Sequence, residues 1–313
     1  MSKVVVTGGA GFIGSHIAEE LVEAGYKVII IDNFSTGYYS NIAHIPAEIY
    51  QYDITNPAII DFIVGLEPDY IIHQAAQVSV AESVHNILHD ENVNVKGSLH
   101  IIKAAVKSSV KKLMFASSAA VYGNPLVLPV TVEHPTLPES PYGLTKLTVE
   151  HYLKMANKFY QLPYGILRYS NVYGPRQDAK GEGGVVSIFS EKIQADNLLH
   201  IYGDGEQTRD FIYVKDVARA NIKALEITEN ICVNISSNTK ITINDLWKKM
   251  KKAADVEKLE IKYERERTGD IRHSILCNKQ AMKLLNWMPE TKLEQGLKET
   301  LLFTNNNILQ ELK

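Results

Sequence analysis

Apolar residues in the first half of the chain fall in short unbroken runs, KVVVTG, KVIIID, AEIYQYD, PDYIIHQAA, KKLMFASS and YGILRYSNVYG, with longer helix-patterned stretches between them. Runs apolar at successive positions suit strands covered on both faces, and helix-length segments between them supply the crossovers of a parallel sheet. GSHIAEELVEAG carries Ile17, Leu21 and Val22 at helical spacing and stops at Gly25, so the chain opens as strand, glycine-rich turn, helix, strand. After NVYGPRQD the pattern loosens into AKGEGGVVS, a helix-like IFSEKIQADN, a turn-rich YGDGEQTRDF and a remainder rich in Lys and Glu. The expected fold is α/β: a doubly wound parallel sheet over residues 1–175, with a return segment at about 207–230, and a smaller α/β subdomain over 176–313.

Composition narrows the function classes. A net charge of −3, from 33 basic and 36 acidic residues without a long basic run, argues against nucleic acid as a partner. The two cysteines, Cys232 and Cys277, lack metal-ligand spacing and suit reduced thiols in a cytoplasm better than a disulfide framework. The apolar runs are far shorter than the roughly 20 residues that span a bilayer, and the first strand begins almost at the N-terminus, so neither membrane anchor nor signal peptide is expected. His16 and His73 have no ligand-spaced partner, so no metal site is expected, and Trp247 and Trp287 are expected to pack rather than stack on a base.

The first turn carries chemistry. TGGAGFIGSH sets Gly8, Gly11 and Gly14 directly after the first strand. The first glycine permits the tight turn, the second lets the backbone approach a pyrophosphate, and the third lets helix and strand pack closely, the pattern of a Rossmann-type dinucleotide site. Asp32 ends the second strand, where a carboxylate binds the adenosine ribose hydroxyls and repels a 2′-phosphate, so NAD is expected over NADP. Asp53, at the end of the third strand, is placed near the adenine; the alternative is a helix cap, for which Thr55 and Asn56 compete.

SPYGLTKLTVEHYLKM puts Tyr142 and Lys146 four residues apart on one face of a helix start. A tyrosine is a poor base at neutral pH, but a nearby ammonium favours its phenolate. On its own the YxxxK spacing is equally compatible with a surface pair. The preceding strand ends in SSAAVYG, with Ser118 facing the expected ligand side of the sheet, while Ser117 is assigned no chemistry.

The glycine-rich first turn, the strand ending SSAAVYG and the YxxxK that follows resemble the extended short-chain dehydrogenase/reductase superfamily over nearly the whole chain, and most of all its UDP-hexose 4-epimerases. The resemblance implies a catalytic set of Ser118, Tyr142 and Lys146. It implies that NAD meets Gly8, Gly11, Phe12, Ile13, Gly14, Asp32, Asn33, Ser35, Thr36, Gly37, Asp53, Ile54, Gln74, Ala75, Ala76, Gln77, Asn94, Tyr142, Lys146 and Tyr169. It implies that the UDP-sugar meets Ser118, Tyr142, Asn171, Val186, Tyr202, Arg209, Arg267, Asp270 and Ser274, the arginines supplying planar forks for the pyrophosphate. Without that context Arg209 and Arg267 read as surface ion pairs. Relatives that dehydrate or decarboxylate their sugars carry acids before VYG; here Ala119 and Ala120 stand there, which points to epimerisation.

The chemistry implied is proton removal from the C4 hydroxyl by Tyr142 with hydride transfer to NAD, rotation of the 4-keto sugar, and return of both to the other face. In such epimerases a bulky aromatic four residues after the GD aspartate tends to exclude 2-acetamido sugars. Ser274 holds that position, so UDP-GlcNAc and UDP-GalNAc are expected beside UDP-glucose and UDP-galactose, the alternative being that Ser274 merely fills a strand. The family also implies a homodimer built on the helices of NVNVKGSLHIIKAAV and YGLTKLTVEHYLKMA. The competing readings are a UDP-glucuronate 4-epimerase, a reductase that releases NADH, and a non-catalytic NAD-binding module.

Overall fold

The computed structural model of the protein describes residues 1–179, 183–195, 197–256, 259–266 and 271–311, and for 306–311 the helix path alone. Six strands from the first half, β1 (Lys3–Thr7), β2 (Lys27–Asp32), β3 (Glu48–Gln51), β4 (Tyr70–His73), β5 (Lys112–Ser118) and β6 (Tyr164–Tyr169), join one parallel sheet. Between them run α1 (Phe12–Glu23), α2 (Ile59–Leu66), α3 (Val80–His85), α4 (Ile87–Glu91), α5 (Ser98–Lys107) and α6 (Pro141–Tyr160). Between α4 and α5 lies a π-helical turn, Asn92–Gly97.

The C-terminal half contributes β7 (Asn171–Tyr173), α7 (Val185–Gln194), β8 (Leu199–Tyr202), β9 (Thr208–Arg209), β10 (Phe211–Tyr213), α8 (Val214–Leu225), β11 (Ile231–Ile235), β12 (Ile241–Thr242), α9 (Ile243–Ala253), β13 (Ile261–Glu264), α10 (Lys279–Leu285) and α11 (Leu293–Glu311). The large sheet has seven strands in the order β11-β6-β5-β4-β1-β2-β3. Its order reverses between β1 and β4, and a parallel sheet binds its ligand outside the carboxyl ends of the strands at such a switch point. Three two-stranded pairs, β7 with β10, β8 with β13 and β9 with β12, lie beyond the large sheet.

Alternation along each strand divides the core. Val4, Val6, Ile30, Leu167 and Val233 face α1, α8 and α10, meeting Ile17, Leu21, Val217 and Leu285. Val5, Ile29, Ile31, Leu113 and Ile166 face the other way, onto α2, α5 and α6. A third apolar cluster gathers Phe189, Ile201, Phe211, Trp247, Met250 and Leu297 from the C-terminal half. Trp247 and Trp287 are both buried packing residues, and the Trp287 indole donates to Asp216 O at 2.9 Å. Among the described residues no helix is long and apolar enough to cross a membrane, and no three His, Cys, Asp or Glu side chains cluster as a metal would require.

Candidate active site

The cofactor end is built by close backbone approach. Gly8 has φ of +70°, and a Cβ there would lie 2.5 Å from Ala75 N, so the turn after β1 nests against the end of β4 only as glycine. A Cβ on Gly14 would lie 2.1 Å from Gly8 O, which fixes how tightly α1 packs on the turn. Gly11 caps α1, leaving the helix N-terminus and its unpaired N–H groups directed at the space where an anion is favoured.

That space is a cleft of about 700 Å³, the size of a cofactor pocket. Fifteen of the expected cofactor residues line it: Gly8, Gly11, Phe12, Ile13, Gly14, Asp32, Asn33, Ser35, Thr36, Asp53, Ile54, Gln74, Ala75, Ala76 and Gln77. Asp32 is held rigidly, Oδ2 accepting from Ala10 N at 2.9 Å and Oδ1 from Phe34 N at 2.8 Å. Burial pushes its pKa up, and those N–H groups offset part of the rise. Asp53 is not a helix cap, because α2 begins only at Ile59 with Ala58 before it and Asp53 instead closes a local turn onto Thr55. It lines the cleft while accepting from Thr55 N and Oγ1, both at 2.7 Å, and from Asn33 Nδ2 at 3.0 Å.

Three other expected cofactor residues stand behind the wall. Gly37 packs on Ala10, where a Cβ would come within 2.9 Å of its carbonyl carbon. Asn94 clasps the Gln77 main chain, accepting from its N–H at 2.8 Å and donating to its carbonyl at 2.9 Å. The buried Tyr169 hydroxyl meets Gln74 Nε2 at 3.0 Å and Asn221. The wall also includes Tyr52, Thr55, Val78, Ser79, Glu82, His89, Asn92 and Val93, which sequence reasoning missed. Six of the eight lie between the end of β4 and the end of the π-helical turn, and the available signal was the switch-point position of that strand rather than any motif.

The chemical end is assembled from β5 and α6. Ser118 closes β5 and caps a single helical turn, Ala119–Tyr122, its Oγ accepting from Ala120 N at 3.1 Å and so keeping its own proton to donate. Ser140 caps α6, accepting from Gly143 N at 3.1 Å, and Pro141 occupies the first helical position. A Cβ on Gly143 would lie 2.6 Å from Ala120 O, so the start of α6 can press against the turn carrying Ser118 only because residue 143 is glycine.

Lys146 is 4% exposed and donates to Ala116 O at 3.0 Å. Its Nζ sits 5.0 Å from the Phe115 ring centroid and 5.8 Å from that of Tyr142. Burial pushes the Lys146 pKa down to about 8, against the attraction of the Asp90 charge. Lys146 is therefore interior and Tyr142 half-buried beside it, which removes the surface-pair alternative. Ser117 also acquires a partner. It donates to Glu150 Oε1 at 2.6 Å, and Glu150 forms a two-pronged ion pair with Arg168, at 2.9 and 2.6 Å. Arg168 in turn donates to the Tyr122 hydroxyl at 2.9 Å and lies 4.8 Å from the centre of that ring, so the VYG segment is braced from beneath.

The expected substrate residues lie in the C-terminal half. Asn171 is exposed at the start of β7, and Tyr202 is exposed at the end of β8. Val186 is 1% exposed in the third apolar cluster. Arg209 ends β9, and Ser274 N donates to the carbonyl of neighbouring Thr208 at 3.1 Å, so the backbone holds these two positions side by side. Arg267 and Asp270 lie outside the described residues.

A family model described as the NAD dependent epimerase/dehydratase family matches residues 4–236. The UDP-glucose 4-epimerase of Mycolicibacterium smegmatis is 34% identical over 310 residues, covering 97% of this chain and 99% of the relative. The crystal structure of a UDP-glucose 4-epimerase from Thermotoga maritima with UDP-glucose superimposes with a TM-score of 0.94 at 41% identity, over 98% of this chain and 99% of that one. A UDP-N-acetylglucosamine 4-epimerase from Methanobrevibacter ruminantium, in complex with UDP-N-acetylmuramic acid, gives 0.93 at 37% identity over the same shares.

Proposed function

The chain belongs to the NAD dependent epimerase/dehydratase family, and from that membership we propose an isomerase that inverts C4 of a UDP-hexose through a bound 4-keto sugar. The observation that carries the chemistry is the buried Lys146 ammonium beside Tyr142, at the end of a helix pressed against the Ser118 turn. NAD fits the cleft, because glycines leave room where Gly8 and Gly14 pack and Asp32 is fixed where ribose hydroxyls need an acceptor. Bound there, NAD supplies a hydride acceptor for C4 and gives the hydride back.

The rest is done by side chains. Tyr142 takes the C4 hydroxyl proton and later returns it, Lys146 favours the phenolate, and Ser118 donates a hydrogen bond to the sugar oxygen. Ala119 and Ala120 offer no second acid or base at the two positions before VYG, which supports epimerisation over dehydration. Contacts concentrated on UDP, through Arg209 with Arg267, leave the hexose free to turn. We assign NAD to residues 1–175 with the return segment, to which β11 and α10 are added because they pack on the large sheet, and UDP-sugar to the rest of 176–313, supported by an apolar cluster drawn mostly from the C-terminal half.

Purified protein mixed with each UDP-hexose, with the C4 epimers resolved, tests the reading. UDP-glucose and UDP-galactose should interconvert without net near-ultraviolet absorbance, whereas a reductase would accumulate NADH. The small Ser274 supports acceptance of UDP-GlcNAc and UDP-GalNAc as well. Ser274→Tyr is expected to reduce turnover of the acetamido sugars at least tenfold while sparing UDP-glucose, because a filled pocket rejects bulk by about 1–3 kcal/mol. Equal effects on both sugar classes would remove Ser274 from the specificity argument.

The proposed setting is cytoplasmic nucleotide-sugar metabolism, galactose interconversion included, with both cysteines as thiols. The proposed assembly is a homodimer. Leu144, Tyr152, Met155 and Phe159 form an exposed stripe along α6, at 45–66% exposure, while α5 buries Ile101, Ile102, Ala104 and Ala105 within the chain. A second copy would cover the α6 stripe. Sedimentation at twice the chain mass, reduced to one by Phe159→Glu, is the expected result.

A further inference from the structure

Asp90, in α4, takes no part in the steps above, yet it is fully buried. Gln77 Nε2 at 2.7 Å and Asn94 Nδ2 at 3.0 Å donate to its Oδ1, and its Oδ2 lies 3.0 Å from Thr145 Oγ1, whose single proton is shared between that carboxylate and the Tyr142 carbonyl at 2.9 Å. An ionised carboxylate, an acceptor at every lone pair, satisfies that pattern. The donors come from three parts of the site. Gln77 lines the cofactor cleft, Asn94 belongs to the π-helical turn and holds the Gln77 main chain, and Thr145 directly precedes Lys146 on α6.

A buried carboxylate is costly without a cation, and a buried ammonium without an anion. Lys146 meets Tyr142 on its own helix and the Phe115 ring and Ala116 carbonyl from β5, and it feels the charge of Asp90, which the contact with neighbouring Thr145 ties to α6; His73 on β4 is the other titratable group coupled to it. His73 is neutral: burial pushes it down to about 3, and its nitrogens are engaged by Thr7 Oγ1 at 2.7 Å and Ser98 Oγ at 2.9 Å. Asp90 is thus the formal negative charge that Lys146 meets among the described residues before Tyr142 ionises.

We propose that Asp90 is a positioning residue of the epimerase reaction, whose buried charge keeps Lys146 an ammonium beside Tyr142 and whose hydrogen bonds tie the cofactor loop at Gln77 to the catalytic helix at Thr145. The inference rests on the roles given to Tyr142 and Lys146 above. Its sign follows from electrostatics. An ammonium deprived of a neighbouring carboxylate releases its proton at lower pH, so turnover that needs the ammonium is lost sooner as pH rises.

The test is the pH profile of kcat for wild type, Asp90→Asn and Asp90→Glu on a UDP-hexose that the wild type epimerises. The alkaline limb should move down by about one pH unit in Asp90→Asn, with KM for the UDP-hexose changed less than about twofold, since Asp90 is fully buried and offers a ligand no surface. Asp90→Glu, which keeps the charge, should hold the limb near its wild-type position. Should Asp90→Asn fail to fold, Asp90→Ser, which leaves room for a water in the same volume, carries the same expectation. A folded neutral variant whose limb stays in place overturns the proposal, however far its kcat has fallen. No epimerisation by the wild type, or undiminished turnover in Tyr142→Phe, would instead bring down the underlying reading and this inference with it.

Discussion

Tyr142→Phe is expected to lower kcat about 1,000-fold while the KM for UDP-hexose stays within about twofold, because a general acid–base group acts on the reacting proton and contributes little to binding. The substitution removes one oxygen and leaves the ring that packs near Lys146, so α6 keeps its cap at Ser140 and its contact with the Ser118 turn. Loss of rate with NAD still retained separates chemistry from assembly. Steady-state epimerisation, with NAD content measured on the same preparation, checks it. Turnover within tenfold of wild type would require another proton carrier at C4, and Ser118 would be the side chain to examine next.

The largest stability effect is expected at Glu150. Glu150→Gln leaves the Arg168 guanidinium, 4% exposed, facing a neutral amide, and removing one member of a buried ion pair costs about 3–5 kcal/mol. Ser117 and Tyr122 lean on the same pair, so the loss should spread into the SSAAVYG turn and reduce activity as well as stability. The urea midpoint should fall with the slope unchanged. The surface pair Lys27–Glu48 is the control: Glu48→Gln should shift the midpoint immeasurably. Equal shifts from the two variants would mean that the buried pair is not what braces the catalytic strand.

What could be read from the sequence was what local chemistry demands. The β1–α1–β2 unit was legible because Gly8, Gly14 and Asp32 each answer one requirement of a dinucleotide near its own position in the chain. Tyr142 and Lys146 were legible because helical spacing alone brings them to one face. The helix read at IFSEKIQADN runs instead over Val185–Gln194, since the preceding Gly184 in extended backbone starts it earlier.

Partners distant in sequence were not legible. Asp90 is an ordinary acid on paper, and its meaning comes from Gln77, Asn94 and Thr145, which only the fold brings to it. Ser117 was assigned nothing because Glu150 lies 33 residues further on, past a long loop and half-way along α6. Lys112, opening β5, reads as a solvated charge yet is 1% exposed. Its ammonium caps the chain after α8, at the carbonyls of Ile227 and Glu229, a position no periodicity reveals.

The chain's late return to the large sheet has a consequence for how such an enzyme can change. β11 pairs with β6, and α10 places Ala281 and Leu285 in the first core cluster, so residues far past the middle of the sequence complete the cofactor half. Severing the gene near residue 175 would bare the long edge of β6, an invitation to unwanted strand pairing, and leave α1 alone on a face that α8 and α10 also cover. The part proposed to bind the sugar is accordingly built from several segments interleaved with the scaffold, the last of them α11. Its loops are free to drift toward new hexoses, while the two halves can be inherited only together.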